Sequence, residues 1–565
     1  MKKMNILFLF LLASCIVNAQ DLAWLNTVGG PSFDVASKIV TDASNNIYVL
    51  GSFSETVDFN PGPGEFNLTA SAFEDIYVQK LDPQGNFLWA VAFGSAEYET
   101  PTDLIAHENG KVYIIGTHRA PIDLNPGPDE FIVTPQGEND FYIIVLNNDG
   151  SFNNAKTWGG NGHDYAFGMS EKSTGDILVT GIFNDTVDFN PDAPVTNLEA
   201  VNGNAYILTL SPLLEFIDVF TFGIPDFTTT YNVMADTNQN LIVTGTFEGT
   251  IDFDPTAGIE TLTSTGDYNI FVAKYSNLQE LVWVKGFGNG DISSLRLRNS
   301  TLDSNDHILI TGAFSETLDL DPDAGIYEIT SNGFDDIFIL KLNTNGEFVW
   351  GHGIGGNDNA PDDGFSVTTN TQNDVLVSGK FASTVDFNPG TEVYNLSSNG
   401  YKDIFLLSLT SNGDFKNAYG MGGPDLDAGV AVTVDSNDAV ILGGTFRETA
   451  DMYPGAGVFN KTSNGESDAF LMKLNNLILG TENLLIQNSE IIAYPNPTTG
   501  DFSIVLQDSF DSVAVQITNM LGQVVLSSTF QQQKNIQLSL PETSGIYFCA
   551  ITSEGTFTTI KLIKK

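Results

Sequence analysis

The phrase GSFSETVDFNP at 51–61 returns six times: as GTHRAPIDLNP (116–126), GIFNDTVDFNP (181–191), GTFEGTIDFDP (245–255), GAFSETLDLDP (312–322), GKFASTVDFNP (379–389) and GTFRETADMYP (444–454). Successive opening glycines lie 65, 65, 64, 67, 67 and 65 residues apart. A period held that tightly restricts the fold to one supersecondary unit, copied and stacked so that each copy buries its faces against its neighbours. One ordinary core is excluded, because a chain of 565 residues must split into domains or grow by repetition.

The order of segments within the repeat sets the topology. DIYVQKLDPQG (75–85) is followed by GNFLWAVAFG (85–94), and NIFVAKYSNLQ (269–279) by ELVWVKGFG (280–288). DIFILKLNTNG (336–346) and DIFLLSLTSNG (403–413) are followed by GEFVWGHGIGG (346–356) and GDFKNAYGMGG (413–423). The last such segment, DAFLMKLNNL (468–477), has no partner after it, whereas DLAWLNTVGG (21–30) stands alone at the other end of the array. Borrowing that strand would join the two ends by backbone hydrogen bonds, which an open solenoid has no reason to do. Seven repeats with this join predict a seven-bladed β-propeller, closed by its N-terminal strand, over 20–478.

Alternation and β-branched or aromatic content predict four strands per repeat, in the first copy near 36–42, 46–54, 75–82 and 87–94. Turns such as DASNN (42–46), DTNQN (236–240) and DPQGN (82–86) are written in residues that tolerate left-handed backbone and bond to their own chain. No stretch keeps a helical period, so the chain is read as all-β. A four-stranded blade needs about 40–45 residues. The surplus follows the signature, as in TVDFNPGPGEFNLTASAF (56–73), and predicts a rim loop or a short extra hairpin in every repeat.

The chain holds 70 acidic against 23 basic residues, a net charge of −47, almost all of it in the repeats. That field repels nucleic acid and anionic lipid and favours cations or basic partners. Residues 1–19, MKKMNILFLFLLASCIVNA, have the basic start, short apolar run and small residues of a secretory signal, with Leu12-Ala13-Ser14-Cys15 as a competing lipidation site. Nothing later is apolar for long enough to form a membrane helix. After signal removal only Cys549 remains, so an intrachain disulfide is excluded and stability must come from packing or bound ions.

A low-charge linker (479–490) leads to 491–565, where short alternating strands suit a small β-sandwich. This segment resembles the type A sorting domain of the Bacteroidota type IX secretion system: Tyr494-Pro-Asn-Pro-Thr-Thr-Gly500, Asn519-Met-Leu-Gly-Gln-Val-Val525, Ser544-Gly-Ile-Tyr547 and a final Lys561-Leu-Ile-Lys-Lys565. The resemblance implies an immunoglobulin-like domain that engages the secretion machinery and leaves the passenger released or anchored at the outer cell surface. The array is similar to the SBBP-type β-propeller repeat in Asp75 to Leu81, Trp89 and Asn46 to Gly51. That likeness implies an architecture and no activity.

The recurrent Asp-apolar-[Asn/Asp]-Pro offers hard oxygen ligands of the kind Ca²⁺ takes: Asp58 and Asn60, Asp123 and Asn125, Asp188 and Asn190, Asp252 and Asp254, Asp319 and Asp321, Asp386 and Asn388. The competing expectation is that they cap the turn before Pro by accepting backbone N–H groups. Calcium is thus the one cofactor the residues suggest. Recurrent Trp24, Trp89, Trp158, Trp283 and Trp350, with Phe53, Phe183 and Phe247, are expected between blades, with sugar stacking as the alternative. There is no G-x-S-x-G, H-E-x-x-H, Walker sequence or Cys/His cluster. The expectation is a secreted, non-enzymatic platform for an extracellular glycan or protein ligand. A polysaccharide-active enzyme with acids in the funnel and a structural surface-layer component are the alternatives. Repeats two, three and seven depart furthest from the signature, so a unique site is expected there.

Overall fold

A computed structural model describes residues 21–475, apart from 98, 193, 224–225, 267, 289–293, 358–359 and 456. It also describes 492–564, apart from 495–497, 506–511, 520–523, 532, 541–542, 544 and 554–555. The proposed signal, Cys15 and the linker lie outside the described residues. Two compact units divide between Gly480 and Thr481.

Among its described residues the first unit is all-β, built of repeated four-stranded antiparallel sheets resembling propeller blades. In the first sheet the strands are Val35–Thr41, Ile47–Phe53, Asp75–Leu81 and Phe87–Phe93, paired in that order. The same order recurs in sheets beginning at Thr100, Tyr165, Thr228, Leu295 and Asp363. The sheet beginning at Ala428 takes its outer strand from Asp21–Val28, which runs antiparallel to Asp468–Asn475 with Asn26 opposite Leu471. The innermost strands neighbour one another in sequence, and Val35–Thr41 also neighbours Ala428–Val434.

Burial explains the composition of each strand. The second and third strands are covered on both faces by adjacent sheets, so IYVLGSF and DIYVQKL are almost wholly buried, with Asp75, Gln79 and Lys80 as buried polar groups of the latter. First and fourth strands are only partly buried, with Ala36 and Ile39 in one and Ala90 and Phe93 in the other turned into the core. Trp24 and Trp89 donate their indole N–H to Pro83 and Asn148 carbonyls of the next sheet, at 3.3 and 3.0 Å. These two rings therefore serve contacts between sheets. The surplus segment is a two-stranded hairpin in every repeat, such as Thr56–Asp58 with Asn67–Thr69.

The opening Gly of the signature has a steric cause. A β-carbon on Gly51 would fall 1.9 Å from the Val35 carbonyl oxygen and 2.7 Å from the Tyr77 ring. Gly51 pairs with Ala36, and directly after Ala36 the innermost strand carries one extra residue before pairing resumes at Lys38. The absent side chain leaves room for this bulge.

In the second unit, Ile492–Tyr494, Asp501–Val505 and Asn535–Ser539 form one sheet. Val524–Phe530, Val513–Asn519, Gly545–Ser553 and Thr556–Lys564 form another. They share a core including Phe502, Ile504, Val515, Ile517, Ile536, Cys549 and Leu562. Burial pushes the Cys549 thiol up to about 12, which keeps it protonated and unreactive.

Candidate functional site

The bulge recurs at one register in all seven innermost strands and leaves Ser37, Thr102, Phe167, Tyr231, Arg298, Phe365 and Val430 unpaired in the ladder. All seven line a single cavity of about 390 Å³ enclosed by those strands. The frame repeats and the side chains presented to the cavity do not.

The side chain after the bulge links neighbouring strands in five repeats, and Gly168 and Ala431 take that place in the other two. Lys38 pairs with Asp103 at 2.8 Å, and the second Asp103 oxygen accepts the Met169 N–H at 3.0 Å. Asn232 donates to the Ser300 carbonyl at 3.0 Å, Asn299 accepts from Val367 N–H at 3.2 Å, and Ser366 accepts from Val432 N–H at 3.3 Å. Each link joins one innermost strand to the next. Asp103, the one carboxylate lining the cavity among the described residues, is committed to this belt.

Aromatic and cationic groups concentrate on one side. His163, Tyr165 and Phe167 stack with centroids 6.1 and 5.7 Å apart, and Tyr231 lies 5.6 Å from Phe167. Arg298 sits over the Phe365 ring at 5.3 Å and Lys380 over the same ring at 5.0 Å. Asp363 holds Arg298 with two bonds, to Nε at 3.1 Å and Nη2 at 2.6 Å, and Asp335 holds Arg296 at 2.5 Å. Burial lowers the ammonium pKa of Lys380 and Lys402, against the pull of Asp363 on both. A side cavity of about 320 Å³ opens between the fourth and fifth sheets, lined by Phe227, Tyr231, Thr246, Tyr268, Leu295, Arg296, Leu297 and Arg298.

The sequence-predicted oxygen ligands lie apart from this cavity, on the hairpins. One carboxylate oxygen of Asp58 accepts the N–H groups of Asn60 and Phe66 at 3.0 and 2.8 Å. Asp123, Asp188, Asp252, Asp319 and Asp386 each repeat that pair of bonds. Asn60, Asn125 and Asn388 accept from Gly62, Gly127 and Gly390. Asp254 and Asp321 accept from Thr256 and Asp323, while Asn190 donates to Pro194. These bonds are those of turn caps. Among the described residues no group of three or more His, Cys, Asp or Glu side chains is gathered as a metal site.

Comparison with known proteins identifies the second unit. Residues 492–565 match the secretion system C-terminal sorting domain. The sorting domain implies handling by the type IX secretion machinery and a destination across the outer membrane or at the cell surface. Over 379 residues the chain is 26% identical to an uncharacterized WD repeat-containing protein of Acanthamoeba polyphaga mimivirus, covering 59% of this chain and 23% of that protein. The match thus spans less than a quarter of the relative's length. The likeness agrees with a repeated, propeller-like array of β-sheets. Among the described residues no helix is long and apolar enough to cross a membrane.

Proposed function

We propose that the chain is a secreted or surface-held seven-bladed β-propeller, closed by strand 21–28, that binds an extracellular ligand at its central cavity without chemical turnover. Its sorting domain, an immunoglobulin-like sandwich, serves as the export tag. The observation that carries the binding reading is the contrast between two adjacent rings. Five residues of the ring after the bulge bond neighbouring strands through their side chains, whereas those of the bulge ring, from Ser37 and Val430 to Arg298 and Phe365, are freed from the ladder and line the cavity. Positions freed from the ladder carry recognition in a concave site with few convergent polar groups.

The reading as a binder rather than a hydrolase rests on the carboxylates. Glycoside hydrolysis needs two acids flanking one bond. Asp103 is already bonded to Lys38 and to the Met169 amide.

Labelled full-length protein, assayed against a panel of polysaccharides and extracellular proteins, tests this reading. Saturable binding lost in Phe365→Ala and Phe167→Ala, with unchanged melting and no release of reducing ends, is the expected result. Binding indifferent to both substitutions, or release of reducing ends, would contradict it.

A further inference from the structure

We infer that the side cavity between the fourth and fifth sheets receives an acidic sugar: one ring bearing a carboxylate, at the end of a glycan. The inference deepens the binding reading and rests on it.

The first argument is charge. The chain has four arginines, and two of them, Arg296 and Arg298, line this cavity in a protein of net charge −47. Lys380 and Lys402 stand behind the lining, Lys402 itself only 3% exposed, beside the carboxylates of Asp335, Asp362 and Asp363. Those three acids are 1, 1 and 2% exposed, whereas both arginine side chains keep 36% of their surface. What a ligand meets there is cationic, unlike the rest of the molecule.

The second argument is preorganisation. Asp335 and Asp363 hold the guanidinium groups from behind, so little side-chain freedom is lost when a ligand arrives. A guanidinium offers five N–H donors. Asp363 occupies two nitrogens of Arg298 and Asp335 one of Arg296, which leaves further N–H donors on both guanidinium groups. Planar donors in this arrangement match a carboxylate better than a point cation does.

Ring chemistry supplies the third argument. Phe227 and Tyr268 meet edge to face at 6.0 Å, Tyr231 completes an aromatic wall, and Tyr268 is 48% exposed. Aromatic faces take the apolar C–H face of a sugar, while Thr246 and the Tyr hydroxyls supply polar contacts. Long polyanions are disfavoured, because the field of the whole chain repels them outside the patch. A single terminal charge is screened from that field beyond about 8 Å in physiological salt.

The test titrates full-length protein with an oligosaccharide capped by glucuronic acid, the same oligosaccharide capped by glucose, and a Glu-rich peptide. The uronate-capped glycan is expected to bind at least about tenfold more tightly than the neutral one, with affinity falling as salt rises. Tyr268→Ala leaves both arginine–aspartate pairs in place and is expected to weaken binding about fivefold or more without changing the melt. Arg298→Lys is expected to erase most of the acid preference, since a lysine cannot form the planar fork. Equal binding of both caps, unaffected by Arg298→Lys, would overturn the acidic-sugar assignment and leave the platform reading intact. Tighter binding of the peptide would overturn it in favour of an acidic protein partner. Absence of uronate binding would overturn it outright, and if Phe365→Ala also left every other ligand unaffected, the platform reading would fall with it.

Discussion

Gly29 lies against the carboxylate of Asp468, so closely that a β-carbon on Gly29 would fall 2.2 Å from Asp468 Cγ. The two residues are 439 positions apart in sequence, and their contact joins the N-terminal strand to the last repeat. The equivalent contact recurs within the chain, as between Gly94 and Asp75 and between Gly159 and Asp140. Gly29→Ala should therefore destabilise the first unit by about 1–3 kcal/mol through overpacking. Shortening the opposing side chain, in Gly29→Ala/Asp468→Ala, should recover part of the loss. Thermal melts of the three proteins check this.

A second prediction concerns pH. Burial pushes the carboxyls of Asp34, Asp140, Asp403 and Asp468 up to about 6, and that of Asp427 to about 7. A neighbouring carboxylate adds to the shift at Asp34, Asp140 and Asp427. In the unfolded chain these groups ionise near pH ~3.9. Folding thus takes up protons between roughly pH 4 and 7. This contribution is fully present below pH ~4 and is lost as pH rises through 6 to 7. The melting temperature should be several degrees higher at pH 5 than at pH 8. Asn204 and Asn269 stand where other repeats place Asp403 and its equivalents. Asp403→Asn should therefore raise the melt at pH 8 and flatten its pH dependence. An unchanged slope would remove Asp403 from the account.

The third prediction concerns a buried ion pair. Lys341 Nζ lies 2.8 Å from Asp303 and 3.0 Å from the Ser411 carbonyl of the next sheet, and both side chains are almost wholly buried. Lys341→Met leaves the Asp303 charge without its ammonium partner and should cost about 3–5 kcal/mol in urea unfolding. Adding Asp303→Asn should return much of that loss, since a buried pair contributes little net stability once both charges are gone.

Much of the first unit was legible because its determinants are local and repeated. The four strands of the first repeat begin and end within two residues of the expected positions, and the surplus after each signature is a hairpin. The orphan strand at 21–28 pairs with 468–475 as the missing outer strand implies. The candidate site was not legible. The signature identifies residues that build the fold, so its departures in repeats two, three and seven drew attention to turn and core positions. Arg296, Arg298, Tyr231 and Phe365 instead stand on innermost strands of repeats with ordinary signatures. The exposure of Arg298, Tyr231 and Phe365 to the central cavity follows from a bulge opposite the signature glycine, and the signature does not say which side chain the bulge presents. The alternation of polar and apolar residues broken by one extra residue was the available signal.

A fourth prediction addresses the hairpin acids. Since one oxygen of Asp386 already accepts the Asn388 and Tyr394 amides at 3.1 and 2.8 Å, Asp386→Ala should cost about 1 kcal/mol as a lost cap. Millimolar Ca²⁺ and EDTA should leave the melt within about a degree, since a bound ion would stabilise by mass action. A calcium-dependent rise of several degrees would make these loops metal sites.

In the proposed reading, closure of the array by its N-terminal strand creates the central cavity, and hydrogen exchange of the full-length chain tests that closure most directly. Amides of 23–28 should exchange as slowly as those of 470–474, since the two segments share one ladder and open together. Fast exchange of 23–28 beside a protected 470–474 would contradict the closed array, and with it the central cavity as a binding site.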